Sequence, residues 1–575
     1  MLGSLPGAFL ECFVLLEAGE RGEIPWVHTM FSTDSPRSLQ LPSPLRTERI
    51  AGITSEPSDL LVVGGGIHGA CIAKLAARAG LRVGLLEMGD YASATSSRSS
   101  KMAHGGLRYL EMFDFQQVFE GIKSREELFE RCPNLVTPHP FLIPVPRDGY
   151  VLRYKLALGL FLYDLLVKNP ARRHAWIPKA QLNFSGFNST RDDLMGCFRY
   201  TDGLMNDSRL VIEMIVSAER HGAQCLNYAR VEHIRKEQDG LMTVVWRDLL
   251  TDQEHISRAK IVVNCAGPWA PQLREANDIH QALEVRYSRG THLLFSTPWR
   301  DPALFLPLPE KGRYYFVWPH PTGTMVGTTE REVDELALDP QPSADEVEEV
   351  LGRLKKDLPH SGLSRETLHY AFAGIRTLPM RSARKGVSRL SRKHVWRFSH
   401  GVLTLLGGKY TTFAWTAAEG LSRVLHELGR GKQTVDALDD LPSVTDSRSS
   451  EQLLNQLRDQ YGYEGPGVER AVKRLGRMVL RYTEKSEAWT ELTGGVLRVE
   501  LLNAVELEHA ETVEDVLRRR LDLEYTPSHG LECLGVVADA LAERRGREVV
   551  EREQREIVER LRVLHRLLGI PEIKA

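Results

Sequence analysis

The stretch Gly64-Gly65-Gly66-Ile67-His68-Gly69 carries the spacing G-x-G-x-x-G between an apolar run, Asp59-Leu60-Leu61-Val62-Val63, and a helical pattern that continues to Arg78. A strand before and a helix after are the surroundings in which these glycines bind a dinucleotide. Gly64 permits the tight turn, Gly66 lets the backbone approach a pyrophosphate, Gly69 lets strand and helix pack closely, and the helix N-terminus favours the phosphate charge. Leu81 to Glu87 reads as a second strand, so the segment is a βαβ unit that ends on an acid. The Glu87 carboxylate can accept hydrogen bonds from both ribose hydroxyls of an adenosine and repels a ribose 2′-phosphate. NADP is therefore disfavoured, while FAD and NAD stay open. A glycine-rich turn with no ligand would not need strand, helix and acid in register.

A second segment, Ala94-Thr95-Ser96-Ser97-Arg98-Ser99-Ser100-Lys101-Met102-Ala103-His104-Gly105-Gly106-Leu107-Arg108-Tyr109-Leu110, is too polar for a core and too specific for a linker. It is expected to lie against something polar. Further strands are predicted at Met242 to Trp246, Ile261 to Asn264, Tyr314 to Trp318 and Val402 to Leu406, with a helix from Arg209 to His221. This alternation predicts an α/β chain of several layers. Residues 1–56 show no sustained period and read as a poorly ordered leader, with order beginning at Asp59. Residues 431–450 turn to Gly, Asp, Ser and Thr and read as a linker. From 451 to 575 the sequence is rich in Leu, Arg and Glu at helical spacing, which predicts a C-terminal helical domain. Within it, the triplet Arg518 to Arg520 reads as a solvated or salt-bridged helix face.

A chain of 575 residues predicts two or three packed regions. Apolar residues at 42% and charged residues at 26% fit a soluble globular protein, and a formal net charge of −2 gives no global attraction for nucleic acid. Seven scattered cysteines, none in C-x-x-C spacing, argue against a disulfide framework and a zinc site and for the reducing cytoplasm. Leu156 to Val167 is the most apolar run, yet its twelve residues span only about 18 Å as a helix, too short for a bilayer. It reads as a buried helix, with a helix resting on a membrane surface as the alternative.

From Thr95 to Glu111 the sequence resembles the FAD-dependent glycerol-3-phosphate dehydrogenases and oxidases, whose T-S-S-x-S-S-K-x-x-H-G-G-L-R-Y-L-E signature wraps the flavin. Agreement continues in order through Asn264-x-Ala266-Gly267-Pro268-Trp269, Arg289-Gly290-Thr291-His292, Gly327-Thr328-Thr329, Ala373-Gly374-Ile375-Arg376 and Gly407-Gly408-Lys409-Tyr410-Thr411-Thr412. The resemblance implies a Rossmann-like FAD-binding domain over residues 57–430. A mixed-sheet substrate domain, roughly 110–200 and 280–370, is interleaved with it. By the same resemblance Gly64, Gly66, Gly69, Glu87, Ser97, Gly105, Gly106, Gly267, Gly408 and Thr411 line the flavin.

For the substrate, the resemblance points to Arg108, Tyr109, His292, Arg376, Arg392 and Lys409, with His292, Arg376 and Lys409 as the catalytic set. Four of the six are fixed cations, a composition that suits a phosphate monoester of nearly two negative charges. His292 is the natural candidate for the base, because its reference pKa lies near neutrality and cationic neighbours keep it an acceptor. Proton loss to its surroundings, beside an arginine or lysine that stabilises the alkoxide, is the alternative. The implied reaction is hydride transfer from the middle carbon of glycerol 3-phosphate to the flavin, giving dihydroxyacetone phosphate. Quinone is the preferred electron acceptor over oxygen, with peripheral contact to the inner face of a membrane and a homodimer as further expectations. An FAD enzyme acting on a hydroxy acid or amine, and a non-catalytic nucleotide-binding interaction protein, are the competing readings. His68 stands where the family usually has Asn, Cys71 where it has Gly, and Arg289 where it has Lys. None of these changes removes a charged substrate ligand.

Overall fold

The computed structural model describes residues 45–107, 114–182, 193–277, 285–308, 313–380, 394–444 and 447–573. Its first layer grows from the strand Ser58–Val63, which pairs in parallel with Val83–Leu86 on one side and Gln253–Asn264 on the other. Gln224–Leu226 and Val402–Leu406 extend the parallel part, and the antiparallel strands Ala229–Lys236, Met242–Asp248 and Val395–Ser399 complete an eight-stranded sheet among the described residues. A parallel strand covered on both faces needs consecutive apolar residues, and Leu60, Leu61 and Val62 are fully buried. The helix Ile67–Arg78 packs against Asp207–Arg220 and Phe413–Glu427. Buried Ala70, Cys71 and Ala73 supply small side chains on that helix.

A second, mixed sheet of ten strands among the described residues stands against the first layer. Its longest pairings are Val136–Pro146 with Leu194–Met205 and Val285–Phe295 with Leu368–Pro379. The latter register sets Ser288 opposite Arg376 and His292 opposite Phe372. Beyond Ser447 the chain is mostly helical, through Ser447–Tyr461, Pro466–Leu475, Arg498–Glu506, Leu534–Arg545 and Arg547–Leu568. A π-helical turn covers Asp515–Arg520.

Four expectations change. Order begins before Asp59, because Arg46–Thr54 is a helix whose Ile53 is buried and whose Arg46 pairs with Asp248 at 2.7 Å. Its stabilising partners lie far along the chain, where local periodicity does not reach. The stretch read as a linker is fastened: Lys74 Nζ donates to the carbonyls of Ala437 (2.7 Å) and Asp439, Ser217 Oγ to that of Asp440, and Ser443 N to Glu213. Arg518, Arg519 and Arg520 are ion-paired as one reading allowed, but they are buried and not solvated. The helix Tyr150–Asp164 is not buried. Tyr150, Val151, Tyr154, Leu158 and Phe161, with Leu165 just beyond its end, are each more than half exposed along one face, while Leu160 and Tyr163 point into the core. The described cysteines Cys71, Cys132, Cys197, Cys225, Cys265 and Cys533 are all buried.

Candidate active site

The glycine turn is built as its spacing requires. Gly64 has a φ of +106°, and a Cβ there would lie 2.4 Å from the Cys265 carbonyl oxygen. A Cβ on Gly69 would lie 1.9 Å from the Gly64 carbonyl oxygen, so only glycine lets the helix sit this close to the strand. Gly66 caps the helix Ile67–Arg78. Ser96 Oγ accepts from the Ile67 N–H at 3.0 Å, which ties the hydroxyl-rich segment to the helix N-terminus. Glu87 accepts from Gly65 N (2.6 Å) and Gly89 N (2.8 Å). Burial is the largest influence on Glu87 and raises its pKa, against the pull of these two backbone bonds. Each carboxylate oxygen keeps a second lone pair for a ribose hydroxyl.

This turn forms one end of a cavity of about 590 Å³ that continues between the two sheets, a size suited to a cofactor or drug-sized ligand. Gly64, Gly66, Glu87, Gly106 and Gly267 lie in its wall, together with Gly408 and Thr411 from the far segment. So do Arg376 and Lys409, from Leu368–Pro379 and from the turn after Val402–Leu406. Gly408, at φ +108°, brings the backbone so close to His68 that a Cβ would meet the ring at 2.8 Å. Thr411 Oγ1 accepts from His104 N at 3.2 Å. Arg376 Nη2 donates to Thr328 Oγ1 at 2.9 Å, and Gly290 makes room, since a Cβ there would lie 2.5 Å from both groups.

Other expected residues sit off the wall. Gly69 serves strand-to-helix packing. Gly105 donates its N–H to Asp202 at 3.1 Å, an acid that also receives Arg125 (2.9 Å) and Tyr163 (2.7 Å). Ser97 is buried, and its carbonyl accepts from Lys101 Nζ. His292 is 1% exposed, stacked on Phe372 and edge-on to Trp318. It reaches the cavity through Ser100, whose Oγ lies 2.9 Å from His292 Nε2 and which is itself part of the wall. Arg108, Tyr109 and Arg392 lie outside the described residues.

Burial above all, then Arg376 and Lys101, hold the His292 pKa well below its ordinary value, so the ring is neutral near pH 7. Lys101 behaves differently. Burial is the largest single influence and opposes its charge, but Asp207 at 2.6 Å, together with Tyr525 and Asp522, raises its pKa. Ser100 was missed by the sequence reading, although it stands inside the segment that drew attention, because its value depends on a histidine 192 positions away. Arg289, in place of the usual lysine, donates to buried Glu346 at 2.7 Å.

The family model for FAD dependent oxidoreductases matches residues 59–418. Aerobic glycerol-3-phosphate dehydrogenase of Bacillus subtilis is 33% identical over 374 residues, 64% of this chain and 67% of its own length. The chain belongs to the FAD-dependent glycerol-3-phosphate dehydrogenase and oxidase family. Alpha-glycerophosphate oxidase of Streptococcus pyogenes is 35% identical over 56% of this chain and 54% of its own length. The solved glycerol-3-phosphate dehydrogenase of Bacillus halodurans, complexed with FAD, superposes with a TM-score of 0.75 at 26% identity, over 92% of this chain and 99% of that one. The choice between FAD and NAD thus falls to FAD. The family's cofactor also fits this wall: buried His68 Nε2 lacks a hydrogen-bond partner within the protein, and the bare Gly66 leaves space beside Ser96.

Proposed function

We propose that the protein oxidises glycerol 3-phosphate to dihydroxyacetone phosphate. The observation that carries this reading is the presence of Arg376 and Lys409 in the wall of the same cavity as the dinucleotide turn. Two fixed cations there suit a phosphate monoester, and the Arg376 fork can meet two of its oxygens at once. Arg108, Tyr109 and Arg392 complete the anchor on this reading. FAD, when bound, supplies the acceptor for the hydride that leaves the middle carbon. The substrate hydroxyl proton passes to Ser100 Oγ as the Ser100 proton moves to neutral His292 Nε2, so the histidine is the base and the serine its bridge. Arg376 and Lys409 stabilise the oxygen as its negative charge develops.

Purified yellow protein mixed with glycerol 3-phosphate under anaerobic conditions should lose its flavin absorbance. No bleaching with glycerol 3-phosphate, but bleaching with a hydroxy acid or an amine, would replace the substrate.

Quinone is the acceptor this reading favours. The exposed apolar face of Tyr150–Asp164, with Lys155 and Lys168 beside it, suits a helix lying in an anionic lipid surface where quinone is dissolved. No described helix is long and apolar enough to cross a membrane. Turnover with a short-chain quinone should exceed oxygen consumption at equal enzyme; the reverse ratio assigns the protein to oxygen.

A further inference from the structure

We infer that the C-terminal helical region acts as a clamp on the cofactor, with Arg519 and Arg520 holding through Asp90 the loop that closes the adenosine end of the cavity. Asp90 follows Glu87 by three residues and is 1% exposed. Its carboxylate receives Arg519 Nε at 2.5 Å, Arg520 Nη1 and Nη2 at 2.8 Å each, and Asn227 Nδ2 at 3.3 Å. Both arginines come from the π-helical turn Asp515–Arg520. They are themselves fixed, Arg519 by Asp515 at 2.6 Å and Arg520 by the Glu508 carbonyl at 2.8 Å.

The grip passes from Asp90 to the dinucleotide turn through its neighbours. Tyr91 is fully buried, and its Cδ1 would lie 2.7 Å from a Cβ on Gly65, so the ring lies directly on the glycine turn. Its hydroxyl meets His509 Nδ1 at 3.2 Å, a second hold from the C-terminal region. Ala92 N donates to the Gly65 carbonyl at 3.2 Å, and Gly65 N in turn donates to Glu87. Ser93 to Ser96 then run along the cavity wall. At the far side of this segment Arg98 pairs with Asp339, which Arg518 also reaches at 3.5 Å. The segment carrying the ribose acid and the hydroxyls is thus pinned at both ends by one arginine triplet, none of which lies in the wall itself.

A single bidentate pair in a dry site fixes position more than it adds net stability, since desolvation offsets much of the attraction. Fixing position here means that the loop need not be ordered when the cofactor arrives, which lowers the ordering loss charged against its affinity. Arg519, Arg520 and Asp90 are positioning residues, because they act on the cofactor only through the loop. The inference depends on flavin binding and is independent of the substrate oxidised.

Two measurements on flavin-free protein test it. FAD titration should show Asp90→Asn and Arg520→Lys binding FAD at least tenfold more weakly than the parent. Arg560→Met breaks another C-terminal ion pair, with Glu524 at 2.7 Å, and should leave FAD affinity within twofold although it also weakens the fold. Hydrogen exchange read by mass spectrometry gives the reciprocal effect: FAD should slow exchange of residues 508–520 in the parent and not in Asp90→Asn. Equal FAD affinity in all three variants, or no change in exchange at 508–520 when FAD binds the parent, overturns the clamp. Failure of glycerol 3-phosphate to bleach the holoprotein would leave it standing.

Discussion

Two regions of this molecule concentrate arginine and lysine away from bulk water, and they use the charge in opposite ways. Around Asp90 each cation meets an acid: Arg519 with Asp90 and Asp515, Arg520 with Asp90, and Arg209 with Glu213 and Glu508. In the cavity wall Arg376 donates to the hydroxyl of Thr328, and burial above all, then the charges of Arg376 and Lys101, lowers the pKa of His292. A closed network of opposite charges is a device for holding segments in place. A wall that presents cations to a cavity is a device for receiving an anion. Residue type alone does not separate the two, since the triplet Arg518 to Arg520 is the densest run of arginine in the chain.

That contrast can be broken or sharpened by substitution. The largest effect is expected in the closed network: Arg520→Met takes the bidentate partner from the buried Asp90 carboxylate, leaving it Arg519 and Asn227, and should lower unfolding free energy by about 3 kcal/mol, read by urea denaturation. A loss below about 1 kcal/mol would mean that the network is not closed in solution. Next, Arg376→Ala should reduce kcat/KM for glycerol 3-phosphate by about 10²–10³-fold, with FAD content and melting temperature close to the parent. If stability collapses while turnover survives, the two regions have exchanged roles.

Ser100→Ala removes the bridge to His292 and should slow kcat by about ten- to a hundredfold, with little change in KM. Unchanged kcat would remove the serine from the proton path. The smallest effect comes from pH. The folded pKa of His292 lies below the unfolded value of 6.5, so the unfolded chain binds the extra proton as pH falls below 6.5. The stability present above pH 6.5 is lost progressively on acidification, by up to about 1.4 kcal/mol per pH unit for this residue. Urea midpoints of the flavin-free protein between pH 7 and 5 should fall less steeply in His292→Gln than in the parent; parallel slopes would mean that His292 is solvated.

The described fold was legible wherever the signal was local. The Ser58–Val63 strand, the turn at Gly64 to Gly69 and the helix Ile67–Arg78 follow from consecutive apolar residues, a steric need for glycine and helical spacing, all within about twenty residues. Val402–Leu406 falls on its predicted span for the same reason. The helix Tyr150–Asp164 was visible as an apolar run, but which of its faces finds a partner depends on what packs beside it. Arg46–Thr54 escaped because its anchors, Asn227 and Asp248, belong to other elements.

Sequence by itself determined the dinucleotide turn, the acid that follows it and the inventory of cations, because these rest on bond geometry and on neighbours in the chain. Only the tertiary structure decided that His292 stands behind Ser100, that Arg376 and Lys409 share a wall with the glycines, and that an arginine triplet near the C-terminus closes on Asp90. Whether a charge closes a network or lines a cavity is set by groups hundreds of residues away, and folding alone brings them within range.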